Sequence, residues 1–256
     1  MTDESAQLEI LKQRARAGDP AALAELRARG FFAAKKAARG DGWPLSAAQR
    51  RLWIIDQMRP GLPAYNMPDA LQFDGALDVA ALRAAVRRLV ERHETLRTTI
   101  TTIGGEPRQI VGSADGFSLR EVDLSGEPDP LAAARKAAAD DALAPFDLAR
   151  GPLFRVTLVR MGSERHLLLC TLHHIVSDAW STAVLRRELA ALYTAGVAGA
   201  GHPLPPLRAH YRDFAAWQNR ELAGPTGAAQ RDYWRRQLGG ERAALALPTD
   251  FPRPAV

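Results

Sequence analysis

A chain of 256 residues, 46% hydrophobic and 25% charged, has the composition of a soluble globular protein and can bury a substantial core in one domain or two. Its formal charge of +5 comes from arginines spread over many segments rather than from a dense basic tract with interleaved aromatics, so it reads as solvated helix faces and argues against nucleic-acid binding. No apolar run reaches the length of a membrane span, the start Met1-Thr2-Asp3-Glu4 lacks a signal-peptide pattern, and the sole cysteine, Cys170, cannot form an intramolecular disulfide, all of which suits the cytoplasm.

Residues 1–42 are rich in alanine and charge and predict a short helical extension, with Asp19 capping a helix whose first residue is Pro20 and Gly30 ending it. From Pro44 the pattern becomes mixed α/β. A helix carries Gln49 to Gln57, a loop holds Pro60, Gly61, Pro63 and Pro68, and a strand covers Ala70 to Phe73. Asp78 can cap a long amphipathic helix whose apolar face uses Val79, Leu82, Val86, Leu89 and Val90, with Arg92 at its end. Strands near Arg97–Ile103 and Arg108–Val111 flank Gly104-Gly105, and a second pair, Phe154–Arg160 and His166–Leu172, flanks Gly162-Ser163; both are hairpin signals. Helices are predicted over Pro130–Ala142, Ala179–Thr194, Tyr211–Leu222 and Ala228–Leu238. The sum is an open mixed sheet covered by helices. Strand order does not follow from the pattern.

The stretch that suggests chemistry is His173-His174-Ile175-Val176-Ser177-Asp178, an HHxxxD sequence between the end of an apolar strand and the start of a helix. Neighbouring residues of an extended chain point to opposite faces, so the two histidines are poorly placed to share a metal ion, and one should look inward. An imidazole that titrates near neutrality can take a proton from an attacking nucleophile, and a carboxylate four residues on can hold the turn. The plain alternative is that both histidines merely finish a strand.

Other segments accompany the histidines in order: Ser46-Ala47-Ala48-Gln49-Arg50-Arg51-Leu52-Trp53, Arg92-His93-Glu94-Thr95-Leu96-Arg97-Thr98, Pro145-Phe146-Asp147-Leu148 with Gly151-Pro152-Leu153-Phe154-Arg155, Tyr211-Arg212-Asp213-Phe214-Ala215-Ala216-Trp217, and Leu247-Pro248-Thr249-Asp250. Together these resemble the condensation domains of nonribosomal peptide synthetases, over about Pro44 to Val256. The resemblance implies a chloramphenicol-acetyltransferase-like lobe over residues 43–256. Family domains have two such lobes, so this chain is expected to be the amino-terminal one, partnered by a second lobe of the same domain. The implied reaction is acyl transfer: an aminoacyl or peptidyl thioester, carried on a carrier protein's phosphopantetheine arm, is joined to the amine of an acceptor on another carrier, forming an amide. No metal or tightly bound cofactor is implied, because phosphopantetheine arrives on the carrier proteins.

By the same resemblance His174 matches the second histidine and positions or deprotonates the amine, and His173 supports the turn. Asp178 is a structural carboxylate expected to pair with Arg92, and Ser181 caps or lines the site. Arg97, Gln49, Trp53, Tyr211 and Trp217 read as packing and network residues. Ala179 stands where the family has glycine, and its methyl could narrow or stiffen the turn. Heterocyclisation and glycopeptide-type recruitment domains fit the histidine pair poorly. Epimerisation domains keep it but differ in the early motif, and an ester-forming relative would show the same residues. A reading of another class is a non-catalytic interaction module, with residues 1–42 docking to an upstream synthetase and the remainder recognising a carrier.

Overall fold

The computed structural model describes residues 42–240 without a break, and scattered positions between 7 and 25 and between 248 and 251. The predicted helix from Pro20 to Gly30 lies largely outside the described residues, as do Leu247 and Thr249 of Leu247-Pro248-Thr249-Asp250. Asp19 itself accepts backbone hydrogen bonds from Ala21 (2.9 Å) and Ala22 (3.2 Å), the pattern of a helix cap. The chain divides into two compact units, Met1–Asn219 and Arg220–Val256.

In the first unit the elements run β1 (Trp43–Pro44), α1 (Ala47–Met58), β2 (Asn66–Asp74), α2 (Val79–Arg92), β3 (Thr98–Ile103), β4 (Glu106–Val111), β5 (Arg120–Asp123), α3 (Pro130–Leu143), β6 (Phe154–Arg160), β7 (Arg165–His173), α4 (Ala179–Val197) and the greater part of α5 (Tyr211–Ala223), whose residues from Arg220 on belong to the second unit. The second unit contains α6 (Pro225–Leu238), where Arg231 donates to the Leu222 carbonyl (2.6 Å). The expected single sheet is two: a three-stranded sheet in the order β1-β4-β3 and a four-stranded one in the order β2-β7-β6-β5. In the larger sheet β5 runs parallel to β6 while the other pairs are antiparallel, which makes it a mixed open sheet. Strand β5 escapes sequence prediction because Arg-Glu-Val-Asp offers one apolar residue in four. Both predicted hairpins form. In the first, Gly104 and Gly105 sit at φ +58° and +81°, the pair of positive angles that a two-residue turn needs and that side chains resist.

Strand alternation explains the layers. Phe154, Val156, Leu158, Leu168 and Leu172 pack on one face of the larger sheet against Leu82, Val86, Leu89 and Val90 of α2 and Leu189 and Leu192 of α4. Val159, Met161 and Leu169 pack on the other face with Ala134 of α3. Residues 168 and 172 thus face one way and 169 the other, so β7 is covered on both sides and reads as a continuous apolar run. A third cluster joins Leu45, Ile100, Phe146, Leu148 and Leu153 to Ile175 and Val176, residues of the histidine motif itself. The motif is therefore seated on the core at the end of the central strand.

The cost of opening that core is measurable. Leu168 is wholly buried, and Leu168→Ala is expected to lower unfolding free energy by about 2–5 kcal/mol in urea denaturation.

Candidate active site

The turn between β7 and α4 puts His173 inside and His174 outside, as the strand's period of two requires. The His173 ring is 4% exposed, and its Nδ1 accepts the Ile175 N–H (3.0 Å). Burial, with a smaller contribution from the adjacent His174, pulls its pKa down to about 4, so the ring is neutral at neutral pH and able to accept. Two further bonds hold the turn: the Val176 N–H donates to the His173 carbonyl (3.0 Å), and the His174 N–H donates to the carbonyl of Tyr65 (2.8 Å).

His174 is exposed, and its Nδ1 lies 2.7 Å from the Ser177 carbonyl oxygen. A carbonyl can only accept, so this contact places a hydrogen on Nδ1 and leaves Nε2 of the neutral ring with its lone pair. That is the form a proton acceptor needs. The ring lines a cavity of about 400 Å³ together with Ser177, Asp178, Trp180 and Ser181 from the motif, Gln49 and Leu52 from α1, Glu94 after α2, and His210 and Tyr211 at the start of α5.

Asp178 and Arg92 do not pair, a correction to the sequence expectation. Asp178 caps α4: its carboxylate accepts from the Ser181 N–H (2.7 Å) and hydroxyl (2.6 Å). The Ser181 bonds hold its pKa below the usual range. Arg92 instead meets Glu188, with Nε 2.9 Å from Oε2, and His93 Nε2 approaches the same oxygen at 2.7 Å. Burial works to raise the Glu188 carboxyl, but Arg92 and His93 bond to it and its pKa lies below the ordinary value. The reason is geometric. Glu188 is ten residues beyond Asp178 on a rising helix, about 15 Å along its axis, and it is there that α4 faces the end of α2. Glu188 could have been found from sequence, because it falls in the apolar stripe Leu185, Leu189, Leu192, where a carboxylate demands a cation.

Other expected residues have definite places. Ser46 and Gln49 form a reciprocal capping box on α1, a signal present in Ser-x-x-Gln. The buried Gln49 amide also donates to the Ile175 carbonyl (3.2 Å), tying α1 to the histidine turn. The Tyr211 hydroxyl lies 2.8 Å from Ser46 Oγ. Arg97 donates to the Gly112 carbonyl (2.6 Å), a structural contact. Trp53 packs on the core cluster under the motif. Ala179 begins α4 with no positive φ, so its methyl meets no backbone strain there. Tyr65, whose carbonyl holds the His174 amide, has no sequence signal, since any residue supplies a carbonyl.

Beside the histidines, Glu94 Oε2 lies 3.1 Å from Arg212 Nε and 3.8 Å from His210 Nδ1. Cys170 offers no alternative nucleophile: burial first, then nearby Asp69 and Asp141, push its thiol up to about 12. Among the described residues no group of three His, Cys, Asp or Glu side chains could hold a metal ion, and no helix is long and apolar enough to cross a membrane.

A condensation-domain family model matches residues 40–256. One linear gramicidin synthase protein of Brevibacillus parabrevis is 47% identical over 221 residues, 85% of this chain but 3% of that protein. Phosphinothricin tripeptide synthetase PhsC of Streptomyces viridochromogenes is 44% identical over 215 residues, 83% of this chain and 20% of that protein. Among solved structures, the starter condensation domain of rhizomide synthetase RzmA superposes with a TM-score of 0.71 at 25% identity, covering 77% of this chain and 48% of that one. The first condensation domain of the calcium-dependent antibiotic synthetase does so with a TM-score of 0.67 at 30% identity, covering 76% and 47%. The chain thus spans about half of the condensation structures it matches and a small part of the synthetases.

Two outcomes are expected from this geometry. Asp178→Ala removes a helix cap and should cost about 1 kcal/mol, whereas Glu188→Ala strands a buried Arg92 and should cost about 3 kcal/mol or more; urea denaturation of both variants ranks them. His173 has a folded pKa below its unfolded one, so the unfolded state binds more protons between the two values and stability falls as pH drops. The loss should begin near pH 6.5, end near pH 4 and total about 3 kcal/mol at most. His173→Asn, whose amide oxygen can replace Nδ1 as acceptor, should flatten that part of the melting-temperature profile.

Proposed function

The chain belongs to the condensation-domain family of nonribosomal peptide synthetases, and on that premise we propose that residues 43–256 act as the amino-terminal lobe of an amide-forming domain, with His174 at the reacting amine. The observation that carries the reading is the Nδ1–H contact to Ser177, which leaves the lone pair on Nε2 of a histidine that lines the cavity. An acceptor amine entering the cavity donates an N–H to Nε2, which aims its lone pair at the thioester carbonyl. The C–N bond forms, the C–S bond breaks, and the amine's surplus proton leaves through Nε2 toward the departing thiolate. Holding the two reactants in line supplies much of the rate whether or not the proton moves in the slow step.

Both reactants arrive as thioesters on the phosphopantetheine arms of carrier proteins, so this lobe keeps no cofactor of its own. The second lobe of the domain completes the walls around the cavity, residues 1–42 serve as a docking extension to an upstream synthetase, and the protein works in the cytoplasm. Asp178 and Ser181 act on the turn rather than on substrate. Arg92 acts at the far end of α4 through Glu188, and His173 from beneath.

The test mixes this chain with loaded donor and acceptor carriers, with and without a separately made second lobe, and follows carrier-bound dipeptide by mass spectrometry. Product is expected when both lobes are present, and His174→Ala should lower its rate by roughly 100- to 10,000-fold with folding intact. An active His174→Ala variant would remove the proposed role. No product under conditions where an intact condensation domain works would favour the interaction-module reading.

A further inference from the structure

The segment Pro145-Phe146-Asp147-Leu148 and the later Arg155 do not line the cavity, and the reaction above makes no use of them. Their side chains nonetheless form a continuous path to the histidine turn. Arg155 donates to the carbonyls of Asp141 (2.8 Å), Ala144 (2.9 Å) and Pro145 (3.2 Å), and its Nε lies 3.3 Å from the Asp141 carboxylate. These acceptors are the last carbonyls of α3 and the residues just after it, so the guanidinium closes a helix end whose carbonyls lack partners within the helix. That docking lays the guanidinium over the Phe146 ring, 3.8 Å from its centroid. The Phe146 ring in turn meets the His173 ring edge to face, at 88° and 6.0 Å, and the Tyr65 ring approaches at 6.4 Å. Asp141 also accepts the hydroxyl of Thr171, two residues before His173 on the same strand.

We propose that Arg155 and Phe146 are positioning residues of the condensation reaction, holding the His173 ring at the angle that closes the turn and thereby selecting the tautomer and direction of His174. The inference rests on the reading of His174 above. The physical chain is short. The His173 ring must face Ile175 for Nδ1 to accept its N–H, and that bond sets the backbone between His173 and Ser177. The Ser177 carbonyl then meets His174 Nδ1. A ring turned by some tens of degrees loses the first bond, and with it the one side-chain acceptor within the turn that sets the Ile175 amide on the way to Ser177. Phe146 blocks that rotation, and Arg155 keeps Phe146 in place from behind, with its charge neutralised by Asp141. Arginine suits the position because its planar fork binds several carbonyls while its face stacks on a ring, which lysine cannot do.

The experiment reads the histidine nitrogens directly, on this 256-residue chain labelled with nitrogen-15 at histidine. Spectra are taken at about pH 8, above the ordinary histidine range. The parent should show His174 as one species with hydrogen on Nδ1. Phe146→Leu, which keeps bulk but loses the aromatic edge, and Arg155→Lys, which keeps charge but loses the fork, should each give a mixture in which the Nε2–H form is prominent. Phe146→Tyr should restore the single species. In the two-lobe carrier assay Phe146→Leu should lower kcat about tenfold with KM unchanged. A single Nδ1–H species and parental kcat in Phe146→Leu would overturn the proposal, whatever its effect on the melting temperature. Should Arg155→Lys not fold, Phe146→Leu decides alone. Since the nitrogen spectra need no turnover, a failure of His174→Ala to lose activity would strike the proposed function and leave the tautomer result readable.

Discussion

One hydrogen bond organises the functional end of this molecule: the Ile175 N–H to Nδ1 of His173. It requires a neutral imidazole beneath the turn. A charged ring there would be a donor at both nitrogens, leaving the amide without an acceptor in an apolar setting. Burial on the core cluster of Leu45, Ile100, Phe146, Leu153 and Ile175 keeps the ring uncharged. Packing and proton chemistry are thus the same constraint. The core that stabilises the lobe also decides which ring nitrogen of the adjacent His174 remains open.

The turn is held from elements far apart in the chain. Gln49 of α1 reaches the Ile175 carbonyl, Tyr65 ahead of β2 takes the His174 amide, and Asp178 caps the helix that follows. Each contact satisfies a backbone group that a sharp strand-to-helix turn leaves unpaired. None of these residues needs to touch substrate to matter for it. The arrangement leaves His174 as the exposed imidazole of the motif, with its orientation set by neighbours.

Buried charge is handled by a different rule. Glu188 on α4 and Arg92 on α2 are almost out of solvent, and each would be costly alone. Their pairing, shared with His93, sits where the two helices that cover one sheet face pack together. It therefore fixes the register of α4 against α2, and with it the position of the α4 amino end, where Asp178, Trp180 and Ser181 line the cavity. The Asp141–Arg155 pair does the equivalent on the opposite sheet face, between the end of α3 and β6.

Much of this is legible in the residues. The period of Leu82, Val86, Leu89 and Val90, the Asp78 cap, the Gly104-Gly105 turn and the doubly apolar run of β7 each encode local geometry through near neighbours, and each forms at the expected place. The placement of one histidine inward and one outward follows from strand alternation alone. What sequence misplaces is a partner: it assigns Asp178 to Arg92, and the tertiary structure gives Arg92 to Glu188. Ion pairs across helices depend on which turns of two helices meet, a quantity set by packing and not by any spacing along one chain. The division into two sheets, the strand order and the Tyr65 carbonyl are decided at the same level. Local hydrogen bonds and side-chain period determine elements and faces; only the packed core determines which faces, charges and carbonyls come together around His174.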